Sequence, residues 1–225
     1  MLRRLIKEAV KRLLTIPFGE EEEEGEETEE GAAPVIVVKN GSASATSEMD
    51  LRVIGLFSSV TEEKIAEIIT GLIYLNELNK IETDPKKRKD IEFYVSTYGG
   101  SADDMFALLD IMREAQKTSD IVTIGMGKVM SAGVPILAAG TKGKRKIGAN
   151  CRVMIHSVAA GNQGELAQMI NELEEIKNIQ EMYIKMLVAH SNMTEDQLRA
   201  MLDKGVNVYL TAEEAVKYGI ADIIV

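Results

Sequence analysis

The sequence predicts an α/β domain built from βαβ crossovers. Three observations predict it. Short Val/Ile-rich runs alternate with stretches of helical period from residue 51 onward, two glycine-bearing turns each follow such a run and open a helix, and no internal repeat breaks the alternation. With 225 residues, 45% of them hydrophobic, the chain has room for one sizeable core. Tryptophan is absent and methionine reaches 12, so that core is expected to be aliphatic.

The elements follow in order. "LRVIGLF" from Leu51 reads as a strand. "TEEKIAEIITGLIYLNELNK" opens on Thr61, a side-chain acceptor for the first turn, and continues at helical period. "DIEFYVST" is a strand, "YGG" a turn, and "SADDMFALLDIMREAQ" a helix. "DIVTIGM" reads as a strand that ends near Met126, followed by a glycine turn and a helix opened by Ser131 in "SAGVPILAAG". "RVMIHSV" is a strand and the stretch from Glu165 to Ser191 one long, Glu/Lys-decorated helix. "TEDQLRAMLDKG" is a shorter helix, "VNVYLT" an edge strand, "AEEAVKYG" a helix and "IADIIV" a final strand.

Residues 1–50 have a different texture. In residues 1–16, Leu2, Leu5, Ile6, Ala9, Val10, Leu13 and Leu14 recur at helical period opposite Arg3, Arg4, Lys7, Lys11 and Arg12, so a basic amphipathic helix is expected, an extension or a propeptide. Residues 17–50 read as an acidic, flexible linker, because Glu20–Glu30 holds nine glutamates with nothing apolar to bury, and one short strand candidate, "VIVV", follows. Those nine glutamates account for most of the net charge of −10, which leaves the rest near neutral and argues against a nucleic-acid binder. Cys151 is the only cysteine, so neither a disulfide framework nor a zinc cluster is expected, and a reducing compartment fits, the cytoplasm first and an organelle second. No dinucleotide or phosphate-loop fingerprint occurs and no cofactor is expected.

Chemistry concentrates on few residues. The turns "STYGGS" and "GMGKVMSAGVP" each carry glycines that let backbone N–H groups approach a ligand. Alone, such turns are only turns, and Ser131 alone is a helix N-cap. Histidine adds weight because the chain has only two. His156 ends a strand about 25 residues after Ser131, where it can face a cleft. His190, late in a charged helix, reads as a surface residue whose charge suits a helix C-terminus. A serine at one strand end and a histidine at the next make the start of a nucleophile–base pair. A third group should orient the imidazole, and both Asn207 and Asp203 are available. Lys128 offers a Ser–Lys dyad as a weaker variant.

Four segments together, "YGGSADDMFALLDIM", "GMGKVMSAGVPILAAGTKGKR", "RVMIHSVAAGNQG" and "YLTAEEAVKYGIAD", resemble the proteolytic subunit of Clp protease, ClpP, in order and with nearly unbroken spacing from Leu51 to the C-terminus. The resemblance implies a ClpP/crotonase-like fold, a repeated ββα superhelix with a protruding long handle helix, in a serine peptidase domain over residues 51–225. It aligns Ser131 with the family's nucleophile, His156 with its base, Asn207 with the third triad position, and Gly100 and Ala132 with the oxyanion-hole amides. The edge at Ala159, Ala160, Gly161, Asn162 and Gln163 resembles the one on which an extended peptide is added as a β-strand. As partners it implies self-assembly into heptameric rings, stacked in pairs, a Clp-type AAA+ ATPase or an active ClpP paralogue, and unfolded polypeptide as substrate.

The chain departs from the family's pattern at several points. Asn207 stands where most members carry aspartate; an amide can orient imidazole but brings no charge and can present its NH₂ instead. Val208 replaces a common arginine of the ring–ring contact. Glu92 and Lys146 replace aromatics of the ATPase-docking cleft, where Tyr94, Ile124 and Met126 keep apolar character, so weaker docking or another partner is expected. Tyr98 stands in place of a proline beside the glycine turn, and Ser157-Val158 in place of Gln-Pro. A slow or conditional peptidase is therefore expected. Two alternatives carry over: an inert ClpP-like subunit that co-assembles with an active one, and a crotonase-like acyl-CoA enzyme, which would need cleft glutamates and turn over an acyl-CoA.

Overall fold

The computed structural model describes residues 51–161 and 163–225, so the expectations for residues 1–50 and for Asn162 lie outside the described residues. One sheet organises the domain. Its strands are β1 (Val53–Leu56), β2 (Ile91–Thr97), β3 (Ile121–Met130), β4 (Lys146–Ile147), β5 (Arg152–Ile155), β6 (Val208–Leu210) and β7 (Ile223–Ile224). The main path runs β1-β2-β3-β4-β7, and β5 joins β3 to β6. All pairs are parallel except β5–β6. Among the described residues six α-helices connect them: α1 (Glu62–Ile81), α2 (Ala102–Ala115), α3 (Gly133–Ala138), α4 (Leu166–His190), α5 (Glu195–Leu202) and α6 (Ala212–Lys217). This is the mixed, mostly parallel α/β architecture that the alternation of elements predicts.

Period-two burial makes β2 a strand: Ile91, Phe93, Val95 and Thr97 point inward between half-buried neighbours. Against that inner face α1 places Ile65, Ile68 and Leu72 and α2 places Met105, Leu108 and Met112, all essentially without exposure. The start signals work as read: Thr61 Oγ1 accepts from the Lys64 N–H and Ser101 Oγ from the Asp104 N–H. The handle α4 buries Tyr183, Ile184 and Leu187 near its C-terminal end. Its first turns instead expose Leu166, Met169, Ile170 and Leu173, a stripe at i, i+3, i+4 and i+7. No described helix is long and apolar enough to cross a membrane.

Two expectations change. The β3 strand does not end near Met126; it continues to Met130, bent at Gly127 with φ of 65°. Its first half pairs with β4 and its second with β5, so the bend lets one strand serve two partners. The sheet forks there, and Ser131 stands at the tip of the fork.

His190 is the second correction. It is half-buried; burial, and then the charges of Arg145 and Arg113, push its imidazole below the ordinary value, so it does not supply the cation at the end of α4. Arg145 does. It is buried, donates through Nη1 to the His190 and Ala138 carbonyls, and pairs with Asp222 through Nε at 2.8 Å. One guanidinium thus ties the ends of α3 and α4 to the approach of β7.

Candidate active site

The site forms at the C-terminal ends of the parallel strands β2, β3 and β5, where such sheets commonly present their functional turns. Ser131 follows β3 directly and has φ of 54°, the one positive φ on a non-glycine among the described residues. Helix α3 starts two residues later, with Ala132 at its cap position and no side-chain capping bond, so Ser131 is not the N-cap that its position suggests. Its backbone is held from three directions instead. The Ser131 N–H donates to the Met154 carbonyl of β5 at 2.8 Å; its own carbonyl accepts from the Val134 N–H at 3.0 Å and from the Tyr183 hydroxyl of α4 at 3.4 Å. Such a conformation persists where surroundings over-determine it.

That turn releases the side chain. Ser131 Oγ and His156 Nε2 are 2.7 Å apart, a hydrogen bond across the gap between the ends of β3 and β5. His156 stands one residue past β5 and is half-buried. Beyond it, Ser157 Oγ donates to the Leu202 carbonyl at 2.8 Å and the Val158 N–H to Gln180 Oε1 at 3.0 Å, which pins the chain leaving the histidine to α5 and α4.

The glycine turn after β2 lies against the serine turn. A Cβ on Gly99, whose φ is 99°, would sit 2.6 Å from the Ser131 Cβ and 2.9 Å from the Met130 carbonyl oxygen. Only a residue without Cβ fits there. On its other side the turn is fastened to Val60, which donates to the Gly99 carbonyl and accepts from the Ser101 N–H, both at 2.9 Å. The Gly100 and Ala132 N–H groups donate to no other described residue. The resemblance points to Gly100, but the contact reveals Gly99 as the residue that sets how close the two turns come; the paired glycines of "YGG" are the signal for it.

The third position is arranged differently. In the antiparallel β5–β6 pair Ile155 faces Val208, and His156 and Asn207 each lie one residue beyond that last pair. Asn207 is exposed, however, and its Nδ2 donates to the Tyr209 hydroxyl at 3.4 Å. No hydrogen bond joins Asn207 to His156 among the described residues. Asp203 is exposed at the end of α5 and is not brought to the histidine either. Ala159, Ala160, Gly161 and Gln163 are exposed and lie in irregular backbone rather than in a strand.

Other chemistries lose ground on the same geometry. Lys128 places Nζ 4.6 Å from the centre of the Tyr98 ring, a cation–π contact on that ring rather than a bond to Ser131. Burial pushes the Cys151 thiol up to about 11, so it stays protonated and a poor nucleophile. Among the described residues no Asp or Glu side chain hydrogen-bonds to Ser131 or His156. Glu92, Tyr94, Met126 and Lys146 are half-buried, with Tyr94 beside Ile124 and Ile124 beside Lys146 in neighbouring strands.

Comparison with known proteins agrees with this architecture. The Clp protease family profile matches residues 40–225, starting 11 residues before Leu51. The chain is 34% identical over 172 residues to the ATP-dependent Clp protease proteolytic subunit 2 of Corynebacterium jeikeium, covering 76% of this chain and 77% of the relative. It is 33% identical over 172 residues to subunit 1 from Corynebacterium glutamicum, with the same coverage. It is also 33% identical over 175 residues to subunit 3 from Nocardia farcinica, covering 77% of this chain and 74% of that one. With its mostly parallel sheet, its long handle helix and this extent of match, the chain belongs to the Clp protease family.

Proposed function

We propose that this chain is a serine endopeptidase subunit of a self-compartmentalised ring protease that cleaves unfolded polypeptides by acyl transfer. The observation that carries the reading is the 2.7 Å contact of Ser131 Oγ with His156 Nε2. Ser131 Oγ attacks the peptide carbonyl carbon while His156 Nε2 takes its proton, then returns it to the departing amine. The oxyanion falls to the Gly100 and Ala132 N–H groups, which donate to no other described residue. Water then enters along the same path and releases the acyl group. The segment from Ala159 to Gln163 takes the substrate backbone as an added strand.

The exposed stripe Leu166, Met169, Ile170 and Leu173 on α4 supports self-assembly, the ring-to-ring contact that a handle helix would make. The heptameric ring and its stacking belong to this proposal, as do the cytoplasmic setting and a Clp-type AAA+ ATPase. The relatives' designation as ATP-dependent subunits supports the ATPase, while Glu92 and Lys146 in the cleft lower the apolar area that it could cover.

One observation favours a second reading, an inert subunit that co-assembles with an active one: the Asn207 amide meets Tyr209 and not His156. Initial rates of peptide hydrolysis by wild type, Ser131→Ala and Asn207→Asp separate the two. The peptidase reading expects Ser131→Ala to lose at least about 10³-fold and Asn207→Asp to gain about tenfold or more, since a carboxylate adds charge stabilisation to the imidazolium. Equal rates for wild type and Ser131→Ala refute it.

A further inference from the structure

We propose that Tyr209 is a positioning residue: its hydroxyl holds Asn207 by the amide NH₂ and so leaves Oδ1 as the group that Asn207 offers to His156. This rests on the peptidase reading of the site. An aspartate has two equivalent oxygens, and either can accept the imidazole N–H. An asparagine has one acceptor and one double donor, so its orientation decides the tautomer. With Oδ1 toward the ring, Nδ1 carries the proton and Nε2 is free to accept from Ser131. With Nδ2 toward the ring, Nδ1 must accept, Nε2 carries the proton, and the base is lost. A chain with asparagine at this position therefore needs a device that an aspartate does not.

The strand supplies it. Tyr209 lies in β6 and Asn207 immediately precedes that strand, and the hydrogen bond between them puts both side chains on one side of it. The antiparallel register, continued one step past its last pair Ile155–Val208, sets residue 207 opposite 156 on that side of the sheet. The Asn207 Nδ2–Tyr209 Oη contact of 3.4 Å directs the amide's donor end along its own strand, away from its partner across the pair. Tyr209 is half exposed, so its own O–H can still donate to solvent while the oxygen accepts from the amide. No charged group is needed and none is introduced beside the histidine.

The test is a double-mutant cycle on the full chain, because a carboxylate at 207 has no orientation to hold. Tyr209→Phe keeps the ring and removes only the oxygen. The proposal expects it to slow peptide hydrolysis and fluorophosphonate labelling of Ser131 by roughly three- to tenfold in the Asn207 protein, the worth of one modest hydrogen bond. On the Asn207→Asp background the same change alters either rate by less than about twofold. Histidine-selective ¹⁵N labelling, with only two histidines to assign, reads the tautomer directly. His156 protonated at Nδ1 in wild type, and mixed or shifted to Nε2–H in Tyr209→Phe, supports the proposal. Equal losses in both backgrounds, no loss, a gain on removing the hydroxyl, or an unchanged tautomer overturns it. The tautomer decides the role of Tyr209 even if Ser131→Ala shows that the chain hydrolyses nothing, so the two claims fail separately.

Discussion

The turn at Ser131 and the strand at Asn207 sit on either side of the same histidine, yet they are built in opposite ways. The Ser131 turn is over-determined: its amide, its carbonyl and its side chain all have partners, and Gly99 is packed against it where no other residue fits. Strand β6 is three residues long and lies at an edge; Tyr209 within it and Asn207 just before it are exposed, with one long hydrogen bond between them. Geometry on the nucleophile side is therefore a property of the fold. Geometry on the orienting side rests on that single contact.

The largest expected effect from breaking the rigid half comes at Gly99. Gly99→Ala places a methyl 2.6 Å from the Ser131 Cβ at a φ of 99°, so either the serine or the glycine turn must move. A displacement of that order costs about 100-fold in hydrolysis. Steady-state kinetics on the folded variant checks this; a rate within about threefold of wild type would mean the turns are not mutually constrained.

Asp222 gives a smaller effect, on stability, within the same rigid region. Burial raises its carboxyl pKa, but the hydrogen bonds and charge of Arg145 and the Gly143 N–H more than offset this, and the net shift is downward. A carboxyl depressed in the folded state contributes stability that is present above its unfolded pKa and lost as pH falls through the folded value. Asp222→Asn is expected to cost about 2 kcal/mol at neutral pH by leaving Arg145 without its counter-charge. Denaturant titrations at pH 7 and below about pH 4 check the sign: the gap between wild type and variant should narrow in acid. A gap that widens in acid would contradict it.

Much of this architecture is legible in the sequence, for identifiable reasons. The order of elements shows because β2 alternates faces and α1 and α2 keep helical period, and those patterns persist over many residues. The two-residue β4 has no periodicity to show, and its strand character comes from β3 and β7 on either side. The passage of β3 through Gly127 is hidden for a similar reason: glycines after an apolar run look like a turn, and only the change of partner from β4 to β5 shows that the strand continues. Ser131 and His156 are legible as a pair because each ends a strand of a parallel sheet. The hydroxyl of Tyr209 is not, because an edge-strand tyrosine has every reason to be there for packing alone.

In the proposed mechanism Ser131, activated by His156, is the nucleophile. Labelling with a fluorophosphonate probe, followed by peptide mapping, tests it most directly. The expected result is modification at Ser131 alone, with the rate falling at least about 10³-fold in His156→Ala. No adduct at Ser131, or an equal rate without the histidine, would contradict it.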